Sequence, residues 1–202
     1  MAASSDVALP IYPHRVLSGG AMNAAMRRIA EKAAQTFLIG VPVRVEAATG
    51  FIIENPAITN AATAVIAGFS SEFANNLASS GVPKTLTYGS VQNQPDAVLI
   101  PVGAPPNDGT MGLHEAIDST LFVGVLGNSN DDADVAIEQT DLGAIYGLTK
   151  DAGNGQWYID RFKDAVGTGA CVQITDFVDP IGTVNGKLEF KVLHAAQQLS
   201  GN

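Results

Sequence analysis

The sequence predicts a mainly β protein, a β-sandwich or small barrel of short strands, preceded by an extended N-terminal arm and one amphipathic helix. Three observations predict it. In VPVRVE (41–46) and KLEFKV (187–192) apolar residues alternate with polar ones at every second position, the repeat of a half-buried strand. The remaining apolar runs are short and are separated by loops rich in Asn, Ser, Gly and Pro, the punctuation of an all-β fold. Near the N-terminus the apolar spacing changes to that of a helix.

The first 20 residues carry Pro10 and Pro13, end in Ser18-Gly19-Gly20 and show no periodicity, which reads as an extended arm. From Ala21 to Phe37 the residues Met22, Met26, Ile29, Ala33 and Phe37 share one helical face, and Arg27 and Glu31 on the other side are placed to pair at i,i+4. Residues 1–37 are therefore expected to form arm and helix, and residues 38–202 a β-rich body.

Within the body, Val41, Val43 and Val45 open a strand, and the turn Ala48-Thr49-Gly50 leads into Phe51-Ile52-Ile53-Glu54, so a hairpin is predicted. Further strands are expected at Ala64–Phe69, Ala97–Val102 and Leu121–Leu126, with a brief helix over Ser70–Ser80 stopped by Gly81. Ala144–Thr149 and Gln156–Phe162 form a second predicted hairpin around the polar loop KDAGNG, with Tyr146 and Trp157 lying across the pair and Tyr158 beside them. The final strand alternates Leu188, Phe190 and Val192 with charged residues after an Asn185-Gly186 turn.

Composition limits the function classes. Apolar residues make up 46% and charged residues 15% of the 202, which argues against bulk disorder and suggests that part of the surface is covered by a partner. The net charge of −9 is uneven. Residues 1–100 hold six Lys/Arg against six Asp/Glu, and residues 101–202 hold five against fourteen. An acidic second half repels phosphates, so nucleic acid is not an expected partner. The N-terminus lacks the order of a signal peptide and no apolar run approaches the roughly 18 residues of a membrane span, so no membrane is expected either.

Four groups of residues are candidates for chemistry. Cys171 is the only cysteine, which excludes an internal disulfide, and its apolar neighbours Ala170 and Val172 mark a core residue. His14, His114 and His194 lie far apart with no HxH or HxxxH spacing, so they start no metal site. Asp131, Asp132 and Asp134 in NSNDDADVAIE resemble an oxygen-rich calcium loop without the Gly and distal Glu of an EF-hand, and a solvated acidic turn is the favoured reading. Asp160 and Asp164, beside Trp157 as a sugar platform, are the candidates for a carboxylate-based glycan hydrolase, but Arg161 and Lys163 between them point to the charged end of a strand. No GxSxG elbow or phosphate loop is present. The expected site therefore contains no catalytic, cofactor-binding or metal residue, and no cofactor is expected.

In order along the chain, GVPVRVEAATGFIIENP, AVIAGF, VLIPVGAPPNDGTMG, LFVGVLG, DLGAIYGLTKDAGNGQWYIDRF and VDPIGTVNGKLEFKVL resemble head decoration, or cement, proteins of tailed bacteriophages, over about Phe37 to Leu193. The motifs are turns and strand ends rather than catalytic residues. The resemblance implies a non-enzymatic, β-rich virion protein. Such a protein binds the major capsid protein on the outside of an icosahedral shell, often as a trimer, and reinforces it. Another minor virion protein is the alternative. Beside this, residues 1–20 are expected to order on binding and, with the helix, to anchor the protein, so that their removal would leave the fold intact.

Overall fold

The computed structural model describes residues 9–17, 26–32, 35–60, 62–74, 110–129, 134–164 and 169–199. Eleven strands dominate them: β1 (Tyr12–Val16), β2 (Met26–Ala30), β3 (Pro42–Val45), β4 (Ile52–Glu54), β5 (Gly68–Ser70), β6 (Thr110–Glu115), β7 (Thr120–Gly127), β8 (Ile145–Lys150), β9 (Trp157–Asp160), β10 (Val172–Phe177) and β11 (Lys187–Val192). Single 3-10 turns lie at Gln139–Asp141 and His194–Ala196. The chain is mainly β, as its alternation and turn spacing predict.

Strands β7, β11, β10, β8 and β9 pair in that order, each antiparallel to the next, and a parallel pairing of Leu126 and Gly127 with Ile159 and Asp160 joins β9 back to β7. The ring closes into a five-stranded barrel, which leaves these strands without an open edge. Strand β7 allows the closure because its length serves two neighbours on one side. Thr120 to Val123 pair with β1, and the last two residues pair with β9. All eight residues of β7 are buried, the burial that a continuous apolar run such as LFVGVLG calls for.

The second sheet has the order β2-β6-β5-β3-β4, antiparallel throughout. A parallel bridge from Glu31 to Ile52, with the Lys32 amide donating to the Ile52 carbonyl at 3.0 Å, brings its two edges together. One core serves both modules. Phe69 of the second sheet packs at 4.6 Å between centroids on Phe122 of the barrel, and both lie 5.9 Å from Phe190. Each ring buried this way contributes about 1.5–3 kcal/mol. Gly124 makes the fit possible: a Cβ there would lie 3.2 Å from the Phe190 ring and 3.4 Å from Ile11 and Ile159.

Several expectations need correction. The helix expected over Ala21–Phe37 is not present where the chain is described, because Met26–Ala30 is strand β2, paired with β6 from Met26↔His114 to Ala30↔Thr110. Arg27 reaches Glu115 at 3.3 Å rather than Glu31. Arg28 donates to the Thr110 carbonyl at 3.0 Å and pairs with Glu72. These contacts to a partner strand far along the chain outweigh a helical preference worth only tenths of a kcal/mol per residue. The helix expected over Ser70–Ser80 is likewise replaced by strand and bend as far as Ala74, beyond which it lies outside the described residues, as does the Ala97–Val102 strand.

Part of the expected arm is also built into the barrel wall. Ile11 is buried in the core, its amide donates to the Gly40 carbonyl at 3.3 Å, and β1 pairs with β7 through a bulge between Pro13 and Arg15. Proline is tolerated there because β1 ends its sheet and needs no complete ladder.

Candidate functional site

Strand directions define the two ends of the barrel. The starts of β7, β10 and β9 and the ends of β8 and β11 lie together, next to the second sheet. There Glu54 of β4 accepts a hydrogen bond from Trp157 Nε1 at 3.1 Å and pairs with Lys150 Nζ at 2.7 Å. Below β11, Gln197 bridges Ile66, and Gln198 donates to the Val45 carbonyl while accepting from the Val45 amide. This near end is covered by protein.

The far end collects Gly127, Asp160, Phe177, Ile145 and Lys187, where the strands finish or begin. Two buried carboxylates hold the segments after β7 and β9 and before β8, and backbone hydrogen bonds to Val135 and Ile137 hold the β10–β11 loop. Asp160 accepts from Thr149 Oγ1 at 2.5 Å and from the Ser129 and Phe162 amides at 3.1 Å, tying the segments after β7 and β9 to β8. Asp141 accepts from Tyr146 Oη and Arg161 Nη2, both at 2.6 Å, and from the Glu138 amide at 2.8 Å. Arg161 also reaches Glu138 at 3.2 Å and the Ala136 carbonyl at 2.8 Å. Burial, then the hydrogen bond and charge of Asp141, raise the Tyr146 phenol well above its ordinary range, so it stays a neutral donor.

On this rigid frame sit Leu142, Ile145, Phe162, Val178, Ile181 and Val184, each at least 36% exposed. They are six of the ten large apolar side chains that the described residues expose, and the other four belong to the N-terminal segments. Single exposed apolar residues are ordinary, but six of them at one end of a barrel make this end the candidate interaction surface.

The residues singled out in the sequence fall into different places. Asp160 is fully buried and its oxygens are engaged by three donors, so it serves the fold, whereas Asp164 is exposed after the turn. Asp131 and Asp132 lie outside the described residues; Asp134 is exposed and accepts from Asn185 Nδ2 at 2.7 Å. His14 lies against Glu189, His114 opposite Met26, and His194 3.4 Å from Asp118, so the three do not converge. Among the described residues no group of three or more His, Cys, Asp or Glu is placed to hold a metal ion. Burial pushes the Cys171 thiol up to about 12, in keeping with a core residue.

Trp157 and Tyr146 do not face each other as expected. The register sets Trp157 opposite Lys150 and Gly147 opposite Asp160, so the two rings are separated along the strand pair and serve opposite ends of the barrel. The far-end apolar group escaped sequence reasoning because Ile181 and Val184 lie in a turn-rich stretch, VDPIGTVNG, where an apolar residue has no periodicity to betray its exposure. The chain matches no model of a known protein family, and no curated protein matches it.

Proposed function

We propose that this chain is a head decoration protein of a tailed bacteriophage, which binds the major capsid protein on the outer face of an icosahedral shell as a homotrimer and reinforces the shell. The observation that carries the reading is where the resembling segments fall. GVPVRVEAATGFIIENP forms the β3–β4 hairpin, AVIAGF leads into β5, LFVGVLG lies in β7, DLGAIYGLTKDAGNGQWYIDRF spans the β8–β9 hairpin, and VDPIGTVNGKLEFKVL ends in β11. The likeness thus reaches strands of both modules, although β1, β2 and β10 lie outside it and VLIPVGAPPNDGTMG falls outside the described residues except for its last three, which begin β6.

A decorating protein gains strength by multivalency. Linking three copies raises the effective concentration of every further contact, so each contact with the shell need only be modest. A rigid barrel suits this role, because little conformational freedom is lost when it docks.

The test is the copy number of the protein in purified virus particles, by quantitative mass spectrometry against the major shell protein. A ratio near one to one is expected. A ratio far below that, or absence from particles, overturns the reading.

A further inference from the structure

We infer that the far end of the barrel, centred on Phe162, Ile181 and Val184, is the docking face, and that its partner is a protein surface presenting Lys or Arg side chains around an apolar centre. The inference rests on the decoration reading for the identity of that partner, the capsid shell, and on the structure for the face and its chemistry.

Three observations converge. The first is geometric: the near end is closed by the second sheet through Glu54, Gln197 and Gln198, while the opposite end leaves its apolar side chains uncovered. The second is rigidity. Asp141 and Asp160 pin the segments after β7 and β9 and before β8 with charge-assisted hydrogen bonds. Backbone hydrogen bonds linking Gly182, Thr183 and Asn185 to Val135 and Ile137 tie down the β10–β11 loop, so the apolar groups are presented on a preorganised frame and docking orders little.

The third is charge. The solvent-facing charges on the loops and strand ends of this face are the carboxylates Asp134, Glu138 and Asp179 against the cations Arg161 and Lys187, Asp141 and Asp160 being buried. Arg161 is already held between Asp141 and Glu138. Lys163 turns away to the carbonyls of Ile58 and Leu148, and Asp176 pairs with Arg15 on the barrel wall. An acidic rim around an apolar centre selects a basic rim around an apolar centre. It also disfavours a second copy, since two such faces would set like charges against each other.

The experiment uses particles grown without this chain, to which purified protein is added. The double variant Phe162→Asp, Ile181→Asp is compared with wild type and with Met26→Asp, which changes an exposed apolar residue on β2 away from this face. Thermal melting first confirms that each variant is folded. We expect wild type and Met26→Asp to bind alike, binding to weaken as salt is raised, and the double variant to bind about tenfold more weakly or not at all.

Equal binding by the folded double variant overturns the docking face and leaves the decoration reading standing. Failure of wild type to bind overturns the decoration reading together with the docking proposal built on it. If wild type self-associates in solution through this face, so that the double variant turns a multimer into a monomer without changing particle binding, the basic partner is rejected in favour of a second copy.

Discussion

Arg15 and Glu189, 174 residues apart, meet at 2.7 Å across the wall of the barrel and tie the N-terminal strand to the last one. His14 Nδ1 lies 2.6 Å from the other carboxylate oxygen, and Thr175 Oγ1 donates to the first at 2.9 Å. Burial alone would raise the Glu189 carboxyl, but the hydrogen bonds from Arg15, His14 and Thr175 outweigh it and hold the group below the ordinary carboxylate range.

This relationship gives the fold an acid limit. A carboxyl depressed in the folded state adds stability above its unfolded pKa of about 4.3 and loses that contribution as pH falls through the folded value. Urea midpoints of wild type should therefore drop more steeply between about pH 5 and pH 3 than those of Glu189→Gln. Parallel pH profiles for the two proteins would show that the clasp has no such role.

The N-terminal segment should prove to be part of the fold. Ile11 is buried against Gly124 and its neighbours, so Ile11→Ala should cost about 2–5 kcal/mol, read as a lower denaturant midpoint with an unchanged slope. Deleting residues 1–17 should destabilise the protein at least as much. A truncated protein as stable as the full chain would mean that β1 is dispensable.

Trp157 reports on the junction between barrel and sheet. As the only tryptophan, fully buried, it should give blue-shifted, quencher-resistant emission that moves to the red in one step with unfolding. Glu54→Ala strips the indole N–H and Lys150 of their shared acceptor and should cost about 1–3 kcal/mol. Emission that shifts well before the rest of the fold is lost would show that the two modules separate first.

At the far end, the Tyr146 phenol is raised above its ordinary value by burial and then by Asp141. Its stabilisation is full below the unfolded pKa of about 10 and declines as pH rises from there toward the folded value. Alkaline unfolding should be less steep in Tyr146→Phe, and spectroscopic titration should find one tyrosine that ionises only as the protein unfolds. Four tyrosines titrating together in the folded protein would contradict this.

What the sequence carried by itself was local. The β3–β4 and β8–β9 hairpins, β7 and β11 were legible because alternation and turn residues act over a few positions: Asn185 indeed takes a left-handed φ of 49° beside Gly186. Cys171 as core followed from its apolar neighbours. Tertiary structure decided the rest. Met26–Ala30 has a helix-like spacing and became a strand because β6, reached only through the folded chain, supplies its hydrogen bonds and the carboxylate for Arg27. Asp160 looked like a surface acid until barrel closure buried it among three donors. The apolar far end exists only because five strands, drawn from residues 120–192, finish or begin at one rim. Periodicity records which way a side chain points from its own strand, and a surface assembled from the ends of many strands leaves no such record.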